Sequence, residues 1–227
     1  MGLVPRFVVG SIVSSLLVSA SAEAQTSPKL FAGVVGGVST LSADARSEVT
    51  ENGVDLSLYN PENGPALNVL FGIAVHRYFT VQANYIWNRN DVTLTSARST
   101  AAGQASYEQP RTASQHAIVG DVLAYFRDDR SRIRPYLSAG VGIVRIETQA
   151  RGDGRSNNLA PPQASLQATH GLLRVAVGID FKMSRGWSAR YSFSESLSAN
   201  SISAQLTPPA PRNLANFQNL FGVVFAF

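Results

Sequence analysis

The segment Phe217-Gln-Asn-Leu-Phe-Gly-Val-Val-Phe-Ala-Phe227 puts Phe217, Phe221, Val223, Phe225 and Phe227 on one parity. An extended strand sends alternate side chains to opposite faces. One face of this strand is therefore a ribbon of aromatic and aliphatic groups that reaches the end of the sequence. Exposed to water, such a ribbon is a liability at a chain end. A strand whose outer face meets lipid requires it.

The start of the sequence points the same way. Met1–Arg6 is short and basic, Phe7–Val18 is apolar, and Ser19–Ala24 ends in small residues. These are the three regions of a secretory signal peptide, with Ala22-Glu23-Ala24 as the first candidate cleavage site and Ala20-Ser21-Ala22 as the second. The apolar core is short for a spanning helix, although a plain N-terminal anchor is the alternative. The expected organisation is a signal peptide over 1–24 and one domain over 25–227. Cleavage would remove Arg6 and Glu23, so the net charge of +4 would be unchanged. That charge is dispersed, with no basic run of the kind that binds nucleic acid. There is no cysteine, which excludes disulfides, thiol chemistry and cysteine-ligated metal.

Eight segments have strand character: Lys29–Leu41, Ala66–His76, Phe79–Asn88, Gln115–Phe126, Pro135–Ile146, Gly171–Phe181, Trp187–Glu195 and Phe217–Phe227. Most approach the ~10 residues with which a tilted strand crosses a bilayer. Arg77-Tyr78, Arg127–Arg134 and Lys182–Gly186 are short connections. Ser42–Pro65, Arg89–Ser114, Glu147–Thr169 and Leu197–Asn216 are long and rich in small and polar residues. An up-and-down barrel puts alternate connections at the same end, so this pattern predicts one end of tight turns and one of four long loops, read as mobile.

The two parities separate cleanly in several strands. Phe79, Val81, Ala83, Tyr85 and Trp87 alternate with Thr80, Gln82, Asn84 and Asn88, with Ile86 as an apolar exception. Leu173, Val175, Val177, Ile179 and Phe181 alternate with Leu172, Arg174, Ala176, Gly178 and Asp180. Trp187, Ala189, Tyr191 and Phe193 alternate with Ser188, Arg190, Ser192 and Ser194. Aromatics gather at two heights: Phe31, Tyr78, Phe79, Tyr125, Phe126, Tyr136, Phe181, Trp187, Phe225 and Phe227 near the tight turns, and Tyr85, Trp87, Phe193 and Phe217 near the loops. Two such belts are expected at bilayer interfaces. A soluble lipocalin-like barrel would show the same alternation with the faces reversed, and periodicity alone leaves that alternative open.

These strands, together with Arg134-Pro-Tyr-Leu-Ser-Ala-Gly-Val-Gly-Ile143 and the ending Val223-Val-Phe-Ala-Phe227, resemble the small eight-stranded bacterial outer-membrane barrels of OmpA-like, OmpX-like and opacity type. The resemblance implies an all-β, antiparallel, up-and-down transmembrane barrel in a Gram-negative outer membrane, with short periplasmic turns and long extracellular loops. It implies outer-membrane lipids and lipopolysaccharide as surroundings. It also implies recognition of Phe221, Phe225 and Phe227 by the barrel-assembly machinery. A surface ligand is expected but has no identifiable chemistry.

The polar parity carries Asp121, Arg174, Asp180 and Arg190, while Glu195 falls on the apolar parity. Eight strands enclose an interior that side chains just fill, and charges buried there must pair. The expected arrangement is a charge network plugging the lumen, with a narrow pore or proton path as the alternative. The three histidines, His76, His116 and His170, lack the His-x-Ser pair of the lipid A deacylases that share this size and strand number. No nucleotide-binding or zinc-protease motif occurs either. The reading is therefore of a structural, surface-displaying or adhesive barrel without enzymatic activity or cofactor, with a narrow channel as the alternative and a lipid-modifying enzyme third. In the long loops, Arg151-Gly152-Asp153 matches an adhesion tripeptide that is common by chance, and Thr207-Pro-Pro-Ala-Pro211 stiffens the fourth loop. Arg98, Arg111, Arg151, Arg155 and Arg212 are candidates for contacts to lipopolysaccharide phosphates.

Overall fold

A computed structural model describes residues 29–51, 53–101, 103–152, 154–209 and 213–227. The expected signal peptide lies outside them. The strands are β1 (Lys29–Leu41), β2 (Asp44–Thr50), β3 (Gly53–Pro61), β4 (Gly64–His76), β5 (Phe79–Thr100), β6 (Gly103–Tyr125), β7 (Ile133–Ala150), β8 (Arg155–Asn157), β9 (Ser165–Lys182), β10 (Trp187–Ala199) and β11 (Asn213–Ala226). Eight of them close a ring, β1-β4-β5-β6-β7-β9-β10-β11, in which β1 pairs with both β4 and β11 and every pairing is antiparallel. Register carries Gly33 through Leu70, Asn84, Val119, Gly142, Leu172 and Ser198 to Leu214. Leu41 pairs with Asn216, so Leu214 lies level with position 43, a stagger of ten residues from 33 to 43. A stagger of that kind is what tilts the strands of a closed barrel.

The apolar parity faces out. On β6, Ile118 is 61% exposed while its neighbour Val119 is 0% exposed. Leu137, Val141, Leu173, Val175, Val177, Phe221 and Val223 are exposed in the same sense, while Gln82, Asn84, Asp121, Arg174 and Arg190 are buried. This inverts a soluble barrel and excludes the lipocalin-like alternative. The glycine-containing strands β1 and β7 follow the same rule. Val35 and Ser39 of β1 and Tyr136 and Val144 of β7 point inward, with Val34, Val38, Leu137 and Val141 outward.

Three aromatics expected in the lower belt are instead inside: Phe31, Tyr125 and Tyr136 are all buried. The room comes from inward glycines. A Cβ on Gly72 would strike the Phe31 ring, and one on Gly178 would strike the Tyr136 ring.

The long loops differ most from expectation. The segment Arg89–Ser114 is a continuation of β5 and β6, which pair from Phe79↔Ala124 up to Thr100↔Gly103. Their 22 and 23 residues are about twice what a crossing needs. The first loop folds into the β2–β3 hairpin, whose β3 adds to upper β5 from Pro61↔Val92 to Gly53↔Thr100. In the third loop β8 joins β6 at Tyr107↔Ser156. The result is a sheet in the order β2-β3-β5-β6-β8 rising beyond the outward apolar band. The outward residues of these segments are small and polar, so composition alone marks them as loops. Their alternation continues nonetheless, and it is cross-strand hydrogen bonding that extends them.

Replacing outward Val177, 48% exposed, with Arg is expected to cost about 2–4 kcal/mol near the bilayer midplane. Ser188→Asn is expected to be far milder. Urea unfolding in lipid vesicles measures both, and the reverse ranking would mean that the faces are misassigned.

Candidate functional site

The polar parity of the membrane-spanning strands carries Asp121, Arg174, Asp180 and Arg190, and the fold brings these four into one hydrogen-bonded chain. Near the turn end, Arg190 Nε donates to Asp180 Oδ1 at 2.6 Å and Nη2 to Oδ2 at 2.7 Å, a bidentate pair. Tyr125 Oη donates to Asp180 Oδ2 at 2.8 Å and accepts from Arg190 Nη2 at 3.0 Å. The guanidinium also lies 5.1 Å from the Tyr136 ring centre and 5.9 Å from that of Phe31, so the inward aromatics act as its walls.

Arg190 Nη1 donates onward to Gln82 Oε1 at 3.0 Å, and Gln82 Nε2 donates to Asn84 Oδ1 at 3.0 Å. Asn68 Nδ2 reaches the same oxygen at 3.1 Å. Asn84 Nδ2 donates to Asp121 Oδ2 at 3.0 Å, and that carboxylate is ion-paired with Arg174 Nη1. Asp121 and Arg174 sit on β6 and β9, each in register with Gly140 of the intervening β7. A side chain at Gly140 would collide with the Asp121 carboxylate, so the glycine clears the path across which the pair forms.

Higher up, an uncharged ring takes over. Asn216 Nδ2 donates to Asn88 Oδ1 at 3.2 Å and to Gln115 Oε1 at 3.1 Å, Ser39 Oγ donates to Asn216 Oδ1 at 2.8 Å, and Asn88 Nδ2 donates to Asn90 Oδ1 at 3.0 Å. Toward the loops the interior turns apolar. Leu41, Ile86, Val92, Leu94, Val144, Ile146, Leu172 and Leu214 pack with Tyr59 and Tyr107 of the raised sheet. Ile202 and Leu206 of the fourth loop belong to the same cluster. Asn200 Oδ1 holds that loop by accepting from the backbone N–H of Ile202 and of Ser203, at 3.2 and 3.1 Å. Ser57 Oγ donates to Pro208 O at 2.7 Å and Arg46 Nη1 to Pro209 O at 2.8 Å, so the proline stretch is tied to the β2–β3 hairpin.

The turn end is bridged as well. Asp129, in the β6–β7 connection, meets Lys29 Nζ of β1 across the ring at 3.2 Å, and its backbone oxygen accepts from Lys182 Nζ of β9. Together the buried side chains line the interior from the Arg190–Asp180 pair up to the apolar cluster, and the exposed Lys29–Asp129 pair spans the turn-end mouth.

The loop arginines are largely engaged within the protein. Arg98 makes a bidentate pair with Asp55 at 2.9 and 2.8 Å. Arg151 pairs with Asp91 at 2.5 Å, which occupies the cation of the tripeptide; Asp153 and Arg212 lie outside the described residues. Arg111 is fully buried and donates to Gln109, Thr148 and the Ala164 carbonyl. Of the five candidates for lipopolysaccharide contact, Arg155 remains exposed without an ion pair among the described residues.

Register also creates a juxtaposition that the sequence reading missed. Ser114 and His116 share the outward face of β6, opposite Glu147 and Arg145 of β7. His116 Nδ1, however, is 2.8 Å from Tyr85 Oη, and the Glu147 carboxylate accepts from Arg145 at 2.7 Å and Gln167 at 2.8 Å. Base and carboxylate are thus both engaged away from Ser114, and no nucleophile–base pair is assembled. Among the described residues, no cluster of three His, Asp or Glu could hold a metal ion.

Removing one partner of a buried pair leaves the other charge stranded. Arg190→Leu is expected to cost about 3–5 kcal/mol, and Arg190→Leu with Asp180→Leu clearly less than the two singles combined, by urea unfolding in vesicles. Outside the membrane, the hydrogen bond from Arg98 holds the Asp55 carboxyl below its usual range. A depressed value means that this stabilisation is complete above the ordinary Asp pKa of about 3.9. It is lost as pH falls through the lowered value. Amide protection in β3, taken relative to the intrinsic exchange rate at each pH, should therefore fall in acid, and Asp55→Asn should remove that pH response.

The sequence pattern of the outer membrane protein beta-barrel domain family matches residues 11–225, nearly the whole chain. No curated protein matches. Similar solved structures include Neisserial surface protein A, at 12% identity and TM-score 0.46, covering 88% of this chain and 97% of that one. The N-terminal β-barrel domain of Pseudomonas aeruginosa OprF is 10% identical with TM-score 0.44, over 88% and 97%. Ail, the attachment invasion locus protein of Yersinia pestis, is 8% identical with TM-score 0.44, over 88% and 97%. The inverted barrel, its lipid-facing band and the family match agree: the chain belongs to the outer membrane protein beta-barrel domain family and resides in the bacterial outer membrane.

Proposed function

We propose that this protein is a non-enzymatic anchor that displays the β2-β3-β5-β6-β8 sheet at the cell surface. The supporting observation is the run of buried side chains across the interior: one polar chain from Asp180 to Arg174, then the apolar cluster that includes Ile202 and Leu206. A conduit would need those groups to part. A display platform needs them to hold, because a packed base keeps the raised sheet in one orientation. The outward face of β3 offers Val54, Leu56 and Leu58 beyond the membrane band, all exposed. Exposed apolar side chains on an ordered sheet are suited to binding another surface, in keeping with an adhesive role.

The closing strand fits a second role, during assembly. Phe221 and Phe227 are exposed on the outward face, and Phe225 packs between Trp187 at 4.9 Å and Phe227 at 5.2 Å. Before the barrel closes, this aromatic face is available to the barrel-assembly machinery, and we assign it that function.

Purified, folded protein in planar bilayers is expected to be silent. Steady current abolished by Arg174→Ala or Asp180→Ala would instead establish a channel. Incubation with lipid A is expected to release no fatty acid, and turnover abolished by His116→Ala or Ser114→Ala would overturn the non-enzymatic reading.

A further inference from the structure

The charge of this barrel is unevenly placed. Its short-turn rim carries Lys29, Arg77, Arg127, Arg130, Arg132, Arg134, Lys182 and Arg185, against Asp128 and Asp129. All the tight turns contribute, so cations surround the mouth. The loop end, in contrast, carries acids and bases in near balance, and many of them are paired: Arg98 with Asp55, Arg145 with Glu147, Arg151 with Asp91.

The two rim carboxylates are already committed. Asp128 Oδ1 accepts from Ser131 N at 3.1 Å and Ser131 Oγ at 2.9 Å, which closes the β6–β7 turn. Asp129 meets Lys29. Among the described residues, Arg77, Arg127, Arg130, Arg132 and Arg185 make no ion pair, and all five are exposed.

Their height sets what they can meet. Arg77 is two residues from exposed Phe79, Arg127 follows exposed Phe126, Arg132 precedes exposed Ile133, and Arg185 is two residues from exposed Trp187. The guanidinium of Arg132 lies 4.9 Å from the Phe181 ring centre and that of Arg77 lies 5.2 Å from that of Tyr78. Cations joined to the lower aromatic belt sit where lipid phosphates lie, at the hydrocarbon boundary.

We infer that the turn rim is a binding collar for anionic phospholipid headgroups of the periplasmic leaflet. Guanidinium groups suit phosphate through paired, charge-assisted hydrogen bonds. A ring of them, outnumbering the rim's carboxylates Asp128 and Asp129, favours lipids with net negative charge over zwitterionic ones. The collar also gives the barrel a fixed depth, since each arginine is bounded by apolar wall above and headgroups below.

The test uses mature protein folded into phosphatidylcholine vesicles with trace spin-labelled phosphatidylglycerol or phosphatidylcholine, and measures which lipid associates with the protein. Phosphatidylglycerol should be favoured about fivefold, the factor corresponding to one basic residue near an anionic surface. The preference should collapse in 1 M salt, where the screening length falls to about 3 Å. It should also be lost in the R77Q/R127Q/R130Q/R132Q/R185Q variant and be retained in a loop-end control, R89Q/R155Q. Heat-modifiable gel mobility verifies that each variant is folded. If the quintuple variant does not fold, R132Q and the salt titration of the wild type carry the same test. No phosphatidylglycerol preference, or one indifferent to salt and to rim substitution, overturns the proposal. Co-sedimentation with purified cell-wall sacculi in the absence of a lipid preference would also overturn it, and would assign the collar to an anionic wall polymer.

Discussion

Closure of the ring between β1 and β11 is the constraint on which everything else rests. Their eleven-residue register, from Phe31↔Ala226 to Leu41↔Asn216, leaves no unpaired sheet edge in the membrane band. Backbone polar groups in hydrocarbon must be satisfied within the protein, and an open eight-stranded sheet would fail at two edges. Once the ring is closed, outside and inside are chemically separate. Lipid demands Val, Leu and Phe on one parity. The enclosed parity can hold charge only where each charge finds a counter-charge or, like Arg111, a set of hydrogen-bond acceptors.

The interior answers that demand in tiers. The Arg190–Asp180 pair is walled by Tyr125, Tyr136 and Phe31, and the Arg174–Asp121 pair is reached through Gln82 and Asn84. The chain of donors and acceptors is continuous, so loss of one member propagates to its neighbours. Small residues are as necessary as charged ones here: Gly140, Gly72 and Gly178 yield the volume that Asp121, Phe31 and Tyr136 occupy. Above, the apolar cluster anchors the raised sheet and the fourth loop in a single packed unit. The membrane-spanning ring and the raised sheet therefore share one core, which is why a tall extension can stand on so narrow a base.

The two ends of the barrel follow different electrostatic rules. At the loop end, arginines are drawn into the protein's own structure, and the surface left over is substantially apolar on β3. At the turn end, Arg77, Arg127, Arg132 and Arg185 make no ion pair among the described residues. A protein with a modest net charge of +4 thus carries a concentrated positive collar at one rim.

Much of the barrel was legible in the residues. Alternation in segments such as Phe79–Trp87 and Trp187–Phe193 identified strands and their two faces, and alternating connection lengths gave the up-and-down order. The ends of the strands were not legible. Beyond Asn88 the outward positions Arg89, Asp91, Thr93 and Thr95 cease to be apolar, because they leave the lipid, although the ladder continues to Thr100. One local signal was present: Ile86 and Leu172 are apolar on the polar parity, and both mark the height at which the lumen becomes a packed core. The inward turn of Phe31, Tyr125 and Tyr136 had no such signal, since an aromatic near a strand end suits either a belt or a lumen. By itself, then, the sequence determined the period of two, the segregation of polar from apolar groups, and the eight strands of the ring, because these are local consequences of side-chain chemistry. Which face was enclosed, which arginine met which aspartate, and how the loops built a sheet were decided by tertiary structure. Those outcomes depend on stagger and ring closure, which bring together residues as far apart as Gln82 and Arg190.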